Sequence, residues 1–261
     1  MALDIDRHAH LASPLSRWDP RFKMVSLGLL ILVVALLKTL PLAMAMLVFA
    51  VALLWSARLP WHFVAEGVKF VMIFLLPFLV VMPLTYPDSS ASVPGQVFSW
   101  EGWRLGWLVV VKSLAIVLLG YAMFATGRFD VSMIALQRLK CPTLLVQMIL
   151  FTYRYIFVFL AEMRRMDTAM KSRGFVKRPD RATLRTLGHF VGTLLVRSFE
   201  RTERIYKAML SKGYRGEFHT LVSFRAETMD VVKATVTVVL AAVVLAGDRW
   251  GGFRPAELGW F

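Results

Sequence analysis

The chain has 261 residues, of which 57% are hydrophobic, and its mean hydropathy of +0.61 is far above that of an average soluble domain. The net charge is +14, and because the apolar residues come in long blocks, this positive excess indicates membrane topology before it indicates affinity for nucleic acid. The single Cys141 excludes an internal disulfide and any cysteine-based metal cluster. These features predict an all-α integral membrane protein with about five transmembrane helices and two long amphipathic cytoplasmic helices.

Residues 1–126 are predicted to form an N-terminal membrane part with four transmembrane helices. The polar residues 1–24 do not resemble a cleavable signal peptide, so we expect them to stay on the inner side. The apolar block 25–55 is too long for one span of about 20 residues, and residues 38–41 interrupt it. A hairpin of two short helices is therefore favoured over one long tilted helix. Further spans are predicted at 70–84 and at 105–125, where Lys112 should snorkel or face a polar bundle interior.

Residues 127–228 are predicted to form a basic cytoplasmic region. They hold 19 of the 31 Lys and Arg residues but only 8 of the 17 Asp and Glu residues, and basic residues collect on the cytoplasmic side. Apolar residues recur at helical spacing in two stretches, one opened by Pro142 and one that follows residues 177–180. These stretches predict two amphipathic helices of roughly 40 Å each. Helices that lie on anionic lipid are the alternative.

Residues 229–261 are predicted to contain the last transmembrane helix, at 229–246, and an outer tail with Trp250 and Trp260. The loop at residues 85–104 has Arg104 as its only basic residue, which predicts an outer location. Five spans then place the N-terminus inside and the C-terminus outside.

One short phrase occurs twice, and each copy closes one of the two long helical patterns. Residues 169–175 read AMKSRGF, and residues 208–214 read AMLSKGY. A cation in the last turn suits the negative end of the helix dipole, and a following glycine can take the left-handed conformation that ends a helix. Two matched ends predict similar contacts with a partner that is present twice. A chance repeat of a common stop signal is the alternative.

Sequence motifs for catalysis are absent. The chain has no phosphate-binding Gly-x-x-x-x-Gly-Lys-Ser/Thr loop, no His-Glu-x-x-His and no Gly-x-Ser-x-Gly. No acidic pair in the apolar spans suggests a proton or cation relay, and the scattered histidines do not predict a metal site. We therefore expect no catalysis by this chain. A stand-alone secondary permease and a membrane-anchored nucleic-acid binder remain as alternatives.

An ordered set of motifs resembles the T component of energy-coupling factor transporters, most of all the cobalt-type CbiQ branch, with the nickel-type subunit close behind. The set comprises residues 18–23 (WDPRFK), residues 153–158 (YRYIFV) and the two repeated phrases. The resemblance covers residues 14–247. Besides the phrases, the motif residues that it singles out are Asp19, Pro20, Arg21, Lys23 and Arg154. Asp19 is expected to cap the first helix, with Arg21 and Lys23 at the depth of the lipid phosphates.

The resemblance implies a scaffold with no cofactor or metal of its own. T components hold a substrate-binding membrane subunit, which would be CbiM-like here, and a small CbiN-like subunit can accompany it. On the cytoplasmic side they hold two ABC-type ATPases, which would be CbiO-like. The ATPases would bind ATP and Mg, and the substrate subunit would bind cobalt. The implied location is the cytoplasmic (inner) membrane of a bacterium.

The resemblance also implies which residues couple ATP hydrolysis to transport. In the family, each of two coupling helices ends in a small-Arg-small motif that sits in a groove of one ATPase. Carried over by position, the motif residues are Ser172, Arg173 and Gly174, and Ser211, Lys212 and Gly213. Lys212 departs from the pattern, because lysine keeps the charge but lacks the bidentate fork of arginine. The implied function is transmission of ATP-driven motion in a cobalt importer, with a nickel or vitamin importer as the alternative.

Overall fold

The computed structural model describes residues 15–16, 18–85, 99–216 and 227–251. All regular structure in these ranges is helical, which confirms the predicted all-α class. Predictions for residues 1–14, for most of the loop at 85–104 and for the tail with Trp260 lie outside the described residues. The helices are α1 (Pro20–Leu36), α2 (Leu40–Ser56), α3 (Trp61–Thr85), α4 (Trp100–Phe124), α5 (Phe129–Arg138), α6 (Thr143–Ser172), α7 (Arg181–Ser211) and α8 (Thr228–Gly251).

Several helices are suited to cross a membrane. Among the described residues, α3, α4, α6 and α8 are long and apolar enough to do so, and α2 is a shorter apolar helix. The predicted break into two short helices is confirmed, because α1 ends at Leu36 and α2 begins at Leu40. The main packing partner that they share is α4, and they do not pack along each other as a close hairpin would. Pro41 lies in the first turn of α2, where its missing N–H leaves no hydrogen bond unmade.

Some helix boundaries differ from the prediction. The connection predicted between Arg58 and Lys69 is helical from Trp61 onward, because α3 begins there. α4 begins five residues before the predicted span, because Ser99 caps it by accepting a hydrogen bond from the Gly102 N–H (3.0 Å). α5 was not predicted. Its buried residues, 132–135, are consecutive and give no helical periodicity.

α6 combines two kinds of sequence. An 18-residue window has a mean hydropathy of 1.9, which is apolar enough to cross a membrane. The part from Glu162 onward is strongly charged, with Arg164, Arg165 and Asp167 close behind it. The amphipathic pattern predicted for this helix therefore includes a first part with the composition of a membrane span.

The chain divides into two compact units. One unit contains α1 to α4, α8 and α5 up to Ala135, and the other contains α6 and α7. The first unit joins helices from both ends of the sequence, since α1 packs against α8 and against α4, while α2 and α3 also pack against α4. α4 is thus the central helix of this unit.

Small side chains line the packing surfaces of α2 and α4. Ala43 and Ala50 on α2 are fully buried, as are Ala115 and Ala122 on α4. Small residues let helix backbones approach closely where lipid, and not water, is the solvent. Larger buried side chains of the same core, including Leu27, Leu30, Val34, Met46 and Leu119, fill the remaining space.

Candidate functional site

The first pair of predicted coupling residues forms the end of α6. Arg173 is the C-cap (φ −90°, ψ 13°), and Gly174 follows with φ +81°. The Gly174 N–H donates to the carbonyl of Lys171 (3.0 Å), and the Phe175 N–H donates to the carbonyl of Met170 (3.1 Å). These two bonds define a Schellman motif, in which the glycine takes the left-handed conformation that a side chain disfavours. The helix therefore stops at a fixed residue.

The end of α7 has the same geometry. Lys212 is the C-cap (φ −91°, ψ 9°), and Gly213 has φ +81°. The Gly213 N–H donates to the carbonyl of Leu210 (2.9 Å), and the Tyr214 N–H donates to the carbonyl of Met209 (3.1 Å). The repeated phrase thus encodes a repeated three-dimensional structure, although the capping cation differs between the copies.

The serines of the two phrases match as well. Ser172 donates from Oγ to the carbonyl of Thr168 (3.0 Å), and Ser211 donates from Oγ to the carbonyl of Lys207 (3.0 Å). Both hydroxyls are therefore held against their own helices. The serines act as small residues beside the cap, since their donors are already engaged.

The two capping cations are exposed and lack acidic partners within the described part of the chain. Neither Arg173 nor Lys212 forms an ion pair there. Neighbouring cations do, since Lys171 pairs with Asp167 (2.6 Å) and Lys207 pairs with Glu203 (2.8 Å). Each helix end therefore presents, at its cap, an exposed cation that forms no ion pair with the described residues. A partner would meet this charge on a helix terminus of defined shape.

The second helix end is tied back to the beginning of α6. The Tyr214 hydroxyl donates to Oε1 of Gln147 (2.9 Å), and Nε2 of Gln147 donates to the carbonyl of Gly216 (3.2 Å). Gln147 is buried. Sequence reasoning missed this contact, because the partners are 67 and 69 residues apart and no local pattern marks them.

An ion pair joins the two long helices. Arg197 on α7 pairs with Glu162 on α6, whose side chain is only 16% exposed. A cavity of about 250 Å³ beside this pair is also lined by Arg201 and Arg204. The pair links α7 to α6 at one position along each helix. This contact, too, was missed from the sequence.

The residues of the N-terminal motif lie in the other unit, around the beginning of α1. Trp18 is buried and donates from Nε1 to the carbonyl of Asp230 on α8 (3.2 Å). Asp19 caps α1, as expected, by accepting from the Arg21 N–H (2.9 Å), and it also binds the Arg21 guanidinium (2.9 Å). Pro20 occupies the first turn. This part of the motif fixes the start of α1 against α8.

Lys23 and Arg154 have different environments. Lys23 is buried, at 4% exposure, and donates from Nζ to the hydroxyl of Thr126. Arg154 is exposed on α6 and forms no ion pair within the described residues. In the same part of the chain, no group of three or more His, Cys, Asp or Glu side chains could hold a metal ion.

Comparisons with known proteins agree with the resemblance seen in the motifs. The family described as CbiQ, cobalt transport protein, matches residues 12–222. A transmembrane protein of an energy-coupling factor transporter (EcfT) from Heliobacterium modesticaldum is 28% identical over 95% of this chain and 97% of its own length. A protein of the same name from Bacillus subtilis is 24% identical over 92% of this chain and 96% of its own.

A cobalt transport protein, CbiQ, from Rhodobacter capsulatus is 30% identical over 43% of this chain and 45% of its own length. The family match extends over most of the chain and includes both helix ends and the N-terminal motif. With its apolar helices, the chain is a multi-pass membrane protein. It belongs to the CbiQ family and is a T component of the energy-coupling factor type.

Proposed function

We propose that this chain couples two cytoplasmic ATPases to a separate substrate-binding membrane subunit in an importer of cobalt ions. The observation that carries the proposal is the pair of matched helix ends, each with an exposed cation at its cap that no described residue pairs with. Two ATPases with acidic grooves would each receive one such end. Charge-assisted hydrogen bonds in a partly desolvated groove are the stronger class, so a single cation can decide the association.

The chain would transmit force and carry out no chemistry. ATP and Mg would bind to the ATPases, and cobalt to the substrate subunit, which would be CbiM-like with a CbiN-like accessory. When the ATPases close on ATP, their grooves would move together and carry the ends of α6 and α7 with them. Long helices joined by the pair of Glu162 and Arg197 can pass on such a rigid-body motion.

The Arg173 and Lys212 contacts with the ATPases should differ in how strictly they depend on hydrogen-bond geometry. Arg173 presents a planar fork that can bind a carboxylate through two parallel hydrogen bonds, whereas the Lys212 ammonium is a point charge. The backbone of the two ends is the same, so the difference lies in the side chains alone. We expect the Lys212 contact to tolerate small shifts of its groove better than the Arg173 contact.

Cobalt is the proposed substrate because the matching family and the R. capsulatus relative are described as cobalt transport proteins. The EcfT relatives carry no substrate in their names. A nickel or vitamin importer is therefore the competing form of the same function. The proposed location is the inner membrane of a bacterium, with the N-terminus on the cytoplasmic side, as the distribution of basic residues indicates.

The decisive experiment is co-purification of the chain in detergent with its cognate ATPases, with ATP hydrolysis and uptake of cobalt, nickel and vitamins measured in parallel. We expect Arg173→Glu and Lys212→Glu each to weaken the complex at least about tenfold, the loss of one charge-assisted contact, and the double variant to abolish association and uptake. Lys212→Arg should retain both.

Arg185→Glu is the matched control, because Arg185 is an exposed arginine in the second turn of α7 and belongs to neither repeated phrase. It makes the same charge change and should leave the complex intact. If the double variant still binds the ATPases and supports uptake, the repeated phrase is a helix-stop coincidence and the proposed function is wrong. Uptake of nickel or a vitamin in place of cobalt would refute only the substrate.

A further inference from the structure

A cavity of about 180 Å³ lies where α1 begins, α4 ends and α5 begins. Its lining is amphipathic. Lys23 and Thr126 supply polar atoms, whereas Met24, Met123 and Val131 supply apolar surface. The contacts at the ends of α6 and α7 do not involve this cavity.

The cavity contains a buried charge without a counter-ion. Lys23 donates to the Thr126 hydroxyl, which itself donates to the carbonyl of Ala122 (2.7 Å). The ammonium has three N–H donors, and no described carboxylate forms an ion pair with it. Asp19 is bound to Arg21, and Asp130 pairs with Arg128 on the rim of the cavity.

Burial without a counter-ion is unfavourable for an ammonium group. It lowers the pKa of Lys23 to about 8, and no neighbouring carboxylate acts to raise that pKa. Buried charges in proteins are normally paired, so a charged group in a cavity with room beside it is suited to an anion. A bound anion would supply the missing partner and raise the pKa of the ammonium again.

The position of the cavity indicates which anion. α4 is long and apolar enough to cross a membrane and ends at Phe124, and the cavity is lined by Met123 in its last turn and by Thr126 just after it. The end of a membrane-spanning helix is expected near the phosphates of the bilayer, and anionic phosphates attract basic groups there. Apolar side chains beside the ammonium match the glycerol ester region that adjoins a lipid phosphate.

We propose that this cavity is a binding site for a phosphate group, supplied by the head group of an anionic phospholipid and held by the Lys23 ammonium. The site would anchor the start of α1 and the turn between α4 and α5 to the lipid surface. Free phosphate offers the same chemistry and is distinguished from lipid by the experiment.

The test is native mass spectrometry of the full chain, delipidated in detergent and titrated with dioleoyl phosphatidylglycerol. A parallel thermal-shift titration uses sodium phosphate. Lys23→Met removes the charge, and Val131→Phe fills the cavity while keeping the lysine. Lys69→Met is the matched control, because it removes the charge of an exposed lysine on α3. We expect about tenfold weaker lipid binding for Lys23→Met and Val131→Phe, and wild-type binding for Lys69→Met.

Each outcome decides the question. Loss of lipid binding in both cavity variants, or in Val131→Phe alone if Lys23→Met fails to fold, supports the lipid site. If sodium phosphate stabilises the wild type but not the cavity variants, while lipid binding is equal in all, the site takes free phosphate. If the cavity variants match Lys69→Met in both titrations, the cavity binds no phosphate and the proposal is overturned.

Discussion

At the scale of single residues, the two helix ends show that a short phrase can encode the same backbone with different cations. Gly174 and Gly213 share φ +81°, and the bonds that close each helix differ by no more than about 0.1 Å in length. Arginine and lysine both point from a C-cap into solvent in this geometry. The difference between a guanidinium group and an ammonium group matters only when the side chain binds a partner.

A second residue-scale feature is a polar cluster in the unit that contains α1 to α4 and α8. Asp248, near the end of α8, accepts hydrogen bonds from the N–H groups of Lys38 (3.1 Å) and Thr39 (2.9 Å) and from the Thr39 hydroxyl (2.7 Å). Thr39 is the N-cap of α2 but makes no side-chain cap bond of its own. The carboxylate of Asp248, on another helix, instead accepts a hydrogen bond from the Thr39 N–H at the start of α2. Lys112 completes the cluster by donating to the carbonyl of Leu37 (2.7 Å).

Asp248→Ala should destabilise the protein by about 1–3 kcal/mol, because it leaves the partly buried N–H groups of Lys38 and Thr39 without their acceptor. Asp248→Asn keeps one carbonyl oxygen and should lose less. The measurement is thermal or chemical unfolding in detergent. Asp130→Ala is the control, because its pair with Arg128 is partly exposed and should contribute no more than about 1 kcal/mol. Equal stability of the two alanine variants would contradict the capping role of Asp248.

At the scale of elements, the close approach of α3 and α4 depends on glycine. A Cβ on Gly102 would lie 2.6 Å from the carbonyl oxygen of Met82 and 2.8 Å from Cα of Pro83. These are backbone atoms, which cannot turn aside as a flexible side chain would. One turn further along α4, a Cβ on Gly106 would already be at ordinary contact distance from Leu79 and Phe78.

Gly102→Ala should therefore push the two helices apart and cost about 1–3 kcal/mol of stability. Gly120→Ala is the matched control in the same helix, because a Cβ there meets no atom within 4 Å. It should be neutral or stabilising by up to about 1 kcal/mol, since alanine is the better helix former. Unfolding followed by tryptophan fluorescence compares them, and a stable Gly102→Ala variant would show that α3 and α4 pack less closely than described.

α7 differs from the candidate membrane helices in how it is stabilised. α7 has no buried residue in this chain, and apolar side chains such as Leu195 and Phe199 stand exposed along it. Its local signals are strong, with Asp180 as a side-chain N-cap and a Schellman motif at the other end. Caps and helical periodicity therefore define this helix, which explains why its bounds were predicted well.

At the scale of the whole molecule, the distribution of basic residues predicts which parts face the cytoplasm. The concentration of Lys and Arg in residues 127–228 predicts the inner side, while α6 contains a window apolar enough to cross a membrane. Cys141 lies between α5 and α6 and is the only cysteine of the chain, so it reports on this region without further engineering.

We expect a membrane-impermeant maleimide to label Cys141 in inside-out vesicles but not in intact cells. Glu101→Cys, in a Cys141→Ser background, should show the opposite pattern, because Glu101 lies in the first turn of α4, at the predicted outer side. Labelling is read by mass shift on a gel. Modification of Cys141 from the outside would contradict the predicted orientation.

The sequence by itself determined the features that depend on neighbours along the chain. The break between α1 and α2, the cap at Asp19 and both helix ends follow from residues within about two turns of one another, so propensity and capping rules suffice. The ordered motifs also identified the family, because they lie at fixed places in the linear chain.

Only the tertiary structure decided the polar contacts that hold the helices together. Asp248 meets Lys38 across 210 residues of sequence, Lys23 meets Thr126 across 103, and Tyr214 meets Gln147 across 67. Lys112 was expected to snorkel or to face a polar interior, and the contact with Leu37 settles the second. No periodicity or spacing records such pairs, because each partner is chosen by the packing of whole helices and not by the local chain.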